Sequence, residues 1–581
     1  MARCNRTLPI PFVFIFLMAF SGTAHAVFNE QIAVDARAIS LANTCTADPP
    51  GLMSVHYNPA GLSLLDEGKT FSNGFVLPII RRTGKLTADP DFDGFMGDTW
   101  GPNAPYNPDD PQSAHGGPDP LDGKEGTNSS QRMYIPFYGP VDMLFGANMG
   151  LSSRKPESKW TFAYANYAPY GGGMAHRDPD DPMRFGCKSV YLQHLIYAAP
   201  TASYRISERL SAGISVGMGQ TALGLELDQR TPNELVAMTR SIGDATKDLE
   251  IPVVSEQTLP PPFLGGGLGP YEYNSRLAMD LRDDFTPSVN LGMLWRPKSW
   301  FSYGITYQSR TKAQMRGDYT FEYSDQFQRM VNWNGKTSMT LQGAGMLDLP
   351  VVGVPYQSGT VYGNQLFPHR IQTGIMVRPA KKVKLMLDLH YAKWSDVSRD
   401  YFVFDQDIQL FRLAKLIGYT GGNRALTVKR DMKDTFHWSV GGEYRPIDLL
   451  TFRLGYEKRP MSARDNLFDA LYFLPDMDFI GTGVGIHLPK KVTVDLAFGY
   501  LFNRSYKVPD NTSSNMNSTE FTDIVYNPYT GLDYEQETEL YLMSFGVTMP
   551  FEVHVEMMNH HKAAIKNIIN KINPFHKEKN E

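Results

Sequence analysis

The feature that most constrains this chain is a strict two-residue alternation of apolar and polar side chains. It recurs from Thr70 to Phe551 and is interrupted alternately by very short and very long connections. Val492, Val494, Leu496, Phe498, Tyr500 and Phe502 share one face of an extended segment, and Thr493, Asp495, Ala497 and Gly499 share the other. Val383, Leu385, Leu387, Leu389 and Tyr391 likewise oppose Lys384, Asp388 and His390. Side chains alternate across a strand, so each such run predicts a β-strand with one apolar and one polar face. Short turns are expected near Ser152 to Ser158, Arg205 to Arg209, Arg296-Pro297-Lys298, Arg378-Pro379-Ala380-Lys381, Arg445-Pro446-Ile447-Asp448 and Leu488-Pro489-Lys490. Between them lie long polar connections, near Thr83 to Met133, Ala168 to Ser189, Asp228 to Ser275, Asp325 to Pro368, Ser395 to Asp431, Lys458 to Asp476 and Lys507 to Gln536. Six turns and seven loops join fourteen strands, an even-numbered antiparallel meander with every short turn at one end. That is the pattern of an all-β, 14-stranded transmembrane β-barrel.

A soluble sandwich with one wet face also alternates, so the membrane reading rests on three further features. Aromatic residues mark strand ends, among them Tyr391, Trp394, Tyr444, Tyr456, Tyr500 and Phe502, as membrane-interface girdles require. The opposite faces carry charge and glycine where a soluble barrel needs its core. Arg3 and Arg6, the apolar run from Leu8 to Phe20 and the small residues of Ala24-His25-Ala26 form an export signal, with cleavage expected before Val27. That run is shorter than the roughly 20 residues of a spanning helix. A mean hydropathy of -0.32 fits a barrel, whose wall averages lipid-facing with lumen-facing residues. The net charge of -5 gives no basic footprint and disfavours nucleic acid as a partner.

Ahead of the strands lies Ala47-Asp48-Pro49-Pro50-Gly51, followed by Leu52-Met53-Ser54-Val55-His56 and Tyr57-Asn58-Pro59-Ala60-Gly61-Leu62. The prolines forbid regular structure, and the interleaved apolar residues argue against a solvated linker. A compact plug enclosed by something larger is expected.

This stretch resembles the N-terminal hatch of the FadL-type family of outer-membrane transporters for long-chain fatty acids and other hydrophobic compounds. Asn290-Leu291-Gly292-Met293-Leu294-Trp295-Arg296-Pro297 with Tyr303-Gly304-Ile305-Thr306-Tyr307-Gln308-Ser309-Arg310 resembles the family's strand-turn-strand centre. Pro368-His369-Arg370-Ile371, Gly374 and Trp394-Ser395 resemble a further strand pair. The likeness runs from about Asn29 to Phe551. It implies a hatch inside the barrel, ligand capture at the outer loops and sideways exit through the wall. A monomer without cofactor is expected, with outer-membrane lipid as a further partner and, because Ser544-x-Gly546-x-x-Met549-x-Phe551 resembles the terminal signal it reads, the barrel-assembly machinery during insertion.

On this reading the chain divides into a signal peptide (1–26), a hatch (27–69), a barrel (70–551) and a periplasmic tail (552–581). In the tail, Ile565, Ile568, Ile569 and Ile572 stand at helical spacing. The family places the mature N-terminus toward the ligand pocket, which makes Phe28 a candidate ligand contact. Asn58, Pro59 and Ala60 form either a gating turn or an ordinary one. Pro262, Phe263 and Leu264, within an apolar stretch of the third long loop, read either as a capture patch or as a packed lid. Met330, Val331 and Trp333 are candidates for the opposing wall. A buried carboxylate needs a cation, and Arg310 and Lys312 are the candidates.

Cys45 and Cys187 are the two cysteines behind the signal, and a single bridge between them is open. Asp89-Pro90-Asp91-Phe92-Asp93-Gly94 begins like a calcium loop, but Trp100 stands where an EF-hand needs Glu. It reads as an acidic surface loop, with a calcium site outside the EF-hand pattern as the alternative, and no metal ligand is assigned. The alternatives are an open porin or adhesin, for which a plug has no purpose, and a lipid hydrolase, whose nucleophile needs a base beside it, a pairing that no serine of the barrel shows in sequence.

Overall fold

The computed structural model describes residues 31–95 and 119–562, apart from positions 32, 93, 255, 256, 472, 504, 520–525, 560 and 561. The alternation becomes one closed antiparallel sheet of fourteen strands. Its first side comprises β1 (Gly68–Ala88), β2 (Gly146–Arg154), β3 (Trp160–Ala175), β4 (Ser189–Ala198 and Thr201–Arg205) and β5 (Leu210–Gln229). Next come β6 (Ser275–Lys298), β7 (Phe301–Gln308 and Thr311–Tyr323), β8 (Tyr356–Phe367 and Arg370–Ala380) and β9 (Val383–Ala392 and Arg399–Phe404). β10 (Ala425–Lys429 and Thr435–Ile447), β11 (Leu450–Arg459), β12 (Met477–Leu488), β13 (Val492–Phe502 and Tyr506–Val508) and β14 (Leu532–Pro550) complete it. β14 pairs with β1 from Thr70↔Pro550 to Ala88↔Leu532, which closes the ring.

Short turns near 155–159, 206–209, 299–300, 381–382, 448–449 and 489–491 all lie at the end where β1 begins and β14 finishes. Three of them sit slightly later than the sequence suggests. Arg296-Pro297, Arg378-Pro379 and Arg445-Pro446 are still in strands, at register shifts between Trp295 and Lys298, Val377 and Ala380, and Tyr444 and Ile447. Proline has no N–H for the ladder, so the pairing skips it and the turn follows.

Apolar side chains such as Phe162, Ile214, Leu385, Phe436, Leu454, Phe498 and Phe545 are exposed on the outer face. Asp388, His390, Ser439, Glu443 and Arg453, of the opposite parity, are buried. Among the described residues no helix is long and apolar enough to cross a membrane. The segment 551–559 leaves β14 as a helix, whereas the isoleucines expected to form the tail helix lie outside the described residues.

The N-terminal segment packs inside the ring. α1 (Ala36–Ser40) is capped by Asp35, whose side chain accepts from the Arg37 and Ala38 amides. A 3₁₀ turn (Gly51–Met53), α2 (Ser54–Tyr57) and a second 3₁₀ turn (Pro59–Leu64) follow. Around the circumference, glycines admit this segment where a Cβ would collide. Gly213 of β5 and Gly292 of β6 are cross-strand partners and both abut Pro59, while Gly455 of β11 abuts Leu41 and Gly481 of β12 abuts Ile39. Contact with strands on opposite sides of the ring is what a plug makes.

Candidate functional site

Buried polar contacts fix the N-terminal segment to the wall. Asp388 of β9 accepts the backbone N–H groups of Cys45 at 2.8 Å and Thr46 at 2.7 Å through one carboxylate oxygen. Arg37 pairs with Asp48 at 2.6 Å and with Glu443 of β10 at 2.8 Å, and Lys384 of β9 reaches the same two carboxylates at 2.6 and 3.0 Å. Burial opposes the Asp48 charge, but Lys384 and Arg37 outweigh it and hold that carboxyl below its usual range. His56 is buried beneath Arg370, and burial first, then that guanidinium, pushes its imidazole down to about 3, so it is neutral.

Asn58 links three parts of the fold. Its Oδ1 accepts the Ala60 N–H at 3.2 Å, and its Nδ2 donates to the carbonyls of Thr46 at 2.9 Å and of Met293 in β6 at 3.2 Å. The first bond caps the 3₁₀ turn at Pro59, and the others tie that turn to the rest of the segment and to the wall.

Above this level the lumen changes character. A polar collar comes first, containing Gln31, His56, Tyr170, His194, Asn290 and Gln308. Toward the long loops it gives way to an apolar chamber lined by Leu223, Leu225 and Leu227 of β5, Leu277 of β6, Phe402 of β9 and Leu426 of β10. The chamber holds about 30 Å³ of free space, room for roughly one water. Arg430 also borders it, ion-paired with Asp400 at 2.7 Å and with Asp469.

β2 is short, and this interrupts the wall. β1 pairs with β2 only as far as Val76↔Gly146, then with residues Glu125–Thr127 from Thr83↔Thr127 onward. Among the described residues, 77–82 make no ladder on this side. On the facing edge, β3 leaves β2 at Asn166 and rejoins a strand only at Met174, opposite Gln131. Side chains patch the gap: Gln131 exchanges bonds with the Ile80 N–H and C=O at 2.9 and 2.7 Å, and Asn128 accepts the Arg82 N–H at 2.7 Å. A small cavity lies here between Val76, Pro78, Phe145, Ala168 and Gly171 of the wall and Ala33 and Val34 of the N-terminal segment.

The family model for outer membrane protein transport protein (OMPP1/FadL/TodX) matches residues 16–551. The chain belongs to the OmpP1/FadL/TodX family. Its fold resembles the crystal structure of a Pseudomonas aeruginosa FadL homologue, with a TM-score of 0.59 at 14% identity over 90% of this chain and 99% of that one. The Pseudomonas putida toluene transporter TodX gives 0.55 at 15% identity over 90% and 99%. The Ralstonia pickettii toluene transporter TbuX gives 0.51 at 15% identity over 88% and 97%. No curated protein matches in sequence. The family and its barrel are those of outer-membrane transport channels for hydrophobic compounds, not of enzymes.

In this FadL-type barrel the candidate residues divide. Asn58, Pro59 and Ala60 are buried together at β5 and β6. Phe263 and Trp333 meet at 5.1 Å, nearly perpendicular, and the Trp333 indole N–H donates to the Pro260 carbonyl at 2.8 Å. Pro262, Phe263 and Leu264 are half-buried, packed between α3 (Glu234–Ala245) and α4 (Asp325–Trp333), an arrangement that suits the lid alternative. Met330, Val331 and Trp333 are buried on α4. Phe28 lies outside the described residues, as does Asp93 of the acidic first-loop motif.

Arg310 and Lys312 do not enter the lumen. β7 breaks at Ser309 and Arg310, Thr311 points inward, and the exposed Lys312 takes the outward parity. Among the cations that do reach the interior, Arg370 lies beside the polar collar and Arg430 borders the apolar chamber. Sequence reasoning missed Arg430 because it lies within an expected loop, although Ala425–Lys429 beside it alternates as a strand does. Cys45 and Cys187 are both buried free thiols, so the bridge left open by the sequence is not made.

Proposed function

We propose that this barrel takes up long-chain fatty acids or similar hydrophobic compounds passively. Ligand is captured beneath the Phe263–Trp333 lid and passes through the apolar chamber around Leu225 and Phe402. The N-terminal segment acts as the hatch, gating at Asn58-Pro59-Ala60, and the ligand leaves sideways between β1 and β3.

The wall interruption at β2 carries this reading, because it lies at the height of the plug and is lined by both. An acyl chain gains roughly 0.8 kcal/mol for each methylene removed from water. A route from apolar chamber to lipid preserves that gain, whereas descent through the charged hatch interface forfeits it. The toluene transporters of like fold are compatible with the same path for a smaller apolar ligand.

Uptake of radiolabelled oleate and of toluene by cells with and without the gene tests the proposal. Faster uptake of either with the gene supports it, and the ratio of the two ranks the ligand classes. Equal uptake of both by the two strains refutes it, and large ion conductance in planar bilayers would favour an open porin instead.

A further inference from the structure

We propose that His390, His437 and Glu457 form a binding site for a divalent d-block cation of the zinc class, set in the lumen wall against the hatch. The three residues come from adjacent strands. His390 of β9 is the cross-strand partner of His437 of β10, and Glu457 of β11 pairs with Ser439, two residues along the same face. They are 3%, 6% and 3% exposed. Each presents one donor atom, and these three atoms lie within 4.8 Å of one another. The imidazole rings are stacked with centroids 4.7 Å apart and planes 9° from parallel.

The hydrogen bonding leaves the cluster incomplete as a purely structural network. His437 Nε2 bonds Glu457 Oε1 at 3.1 Å, but its Nδ1, although buried, has no partner. A buried imidazole nitrogen left unpaired costs free energy, and the great majority of buried polar atoms are satisfied. Two residues before His390 on the same face, Asp388 Oδ1 is similarly unpaired. A cation on His437 Nε2 and Glu457 Oε1 replaces the bond between them and fixes the ring proton on Nδ1.

The donor set selects the ion. Two neutral imidazoles and one carboxylate suit zinc, nickel or copper, and they leave a coordination position for water or a ligand group. Calcium and magnesium prefer shells of oxygen and are poor competitors here. Bonds of about 2.0–2.1 Å need tetrahedral donors about 3.4 Å apart, so loading requires donor atoms to close in by up to about 1.4 Å.

Glu457 is already oriented for this task. Its Oε2 is held by Arg459 at 3.1 Å and by the Asn43 amide of the hatch at 2.9 Å, which turns Oε1 toward the histidines. Arg459 neutralises part of the carboxylate charge and so limits affinity. Asn43 makes the outer support of the site complete only while the hatch is seated, and the ion thereby favours the seated state.

The test is calorimetric titration of the full-length protein in detergent with zinc chloride, in excess calcium and magnesium, with barrel folding checked by heat-modifiable gel migration. Cobalt loading supplies an independent visible d–d spectrum. One ion per chain is expected, weakened at least about 100-fold by His390→Ala or His437→Ala, with loss of the cobalt spectrum. Asn43→Ala keeps all three donors and should weaken binding about 10-fold, which decides the matter even where a histidine variant misfolds. Absence of zinc binding would overturn the proposal. So would binding unchanged in folded His390→Ala, His437→Ala and Asn43→Ala proteins, since the ion would then sit elsewhere, on the tail histidines for example.

Discussion

Replacing Asn58 with alanine isolates the seat of the hatch from the integrity of the barrel. The substitution removes the cap on the Pro59 turn, for which Asn→Ala typically costs about 1 kcal/mol. It also leaves the buried Thr46 carbonyl without the Asn58 amide, at about 1–2 kcal/mol. The Met293 carbonyl belongs to a strand with neighbours on both sides and adds little. Hatch seating should weaken by about 2–3 kcal/mol, which raises the unseated population roughly 30- to 150-fold. The sheet ladder is untouched, so insertion and heat-modifiable migration should be unchanged. Cys45 provides the readout, being a hatch thiol only 1% exposed. In a Cys187→Ser background, its maleimide labelling rate in the folded protein reports the unseated fraction. A rate within about threefold of that for unsubstituted Asn58, in a folded barrel, would refute the assignment of Asn58 as a seat.

Gly171 lines the cavity at the wall interruption, and a Cβ built there meets nothing within 4 Å. Gly171→Phe should therefore fold normally yet fill the proposed exit and lower ligand uptake several-fold, measured as labelled oleate accumulation in whole cells. Trp333→Ala removes both the edge-on contact with Phe263 and the bond to Pro260, together about 1–3 kcal/mol, and should raise the ligand concentration needed for half-maximal uptake. His56 is held neutral in the seated hatch, with its imidazole near 3 against 6.5 when free. Its contribution to seating is complete above pH 6.5 and is lost at about 1.4 kcal/mol per unit as pH falls below that. Asp35 acts in the opposite sense, because burial, and then Asp495, raise it to about 6 and it binds a proton on seating. The His56 part is therefore read as the difference in Cys45 labelling between the protein and its His56→Gln variant from pH 6.5 to 5, corrected for the reactivity of a free thiol.

The strands were legible because a membrane wall imposes one rule on every residue in it. Leu385, Leu387 and Leu389 must face lipid, and Lys384, Asp388 and His390 then face inward. Beyond the bilayer that rule lapses, and Arg399–Phe404 and Ala425–Lys429, which prolong β9 and β10, fall within an expected loop. Breaks within a strand were equally hidden. Parity cannot be counted through Ser309 and Arg310, so the outward aim of Lys312 was not available from the sequence. At the hatch, the local Asn58–Ala60 bond follows from residue type, whereas the bonds to Thr46 and Met293 depend on chain crossings that no spacing reveals.

The zoning of the lumen gives the proposed path its direction. In the upper half, Leu223, Leu225, Leu277 and Phe402 offer an apolar ligand contacts comparable to those of lipid. Below the collar, the hatch meets the wall through Arg37, Asp48, Lys384 and Glu443, and withdrawal breaks the two ion pairs that cross the interface, Arg37–Glu443 and Lys384–Asp48, while Arg37–Asp48 stays within the hatch and Lys384–Glu443 within the wall. Complete withdrawal of the hatch must break those two pairs along with both bonds to Asp388. The Val34 end is held more lightly, by the Asn148 amide on its carbonyl and the Tyr57 hydroxyl on its N–H. That end borders the wall cavity. A local shift of residues 33 and 34 would therefore enlarge the proposed side exit while the charged seat stays intact, so on this proposal passage of a greasy ligand need not open an aqueous channel through the membrane.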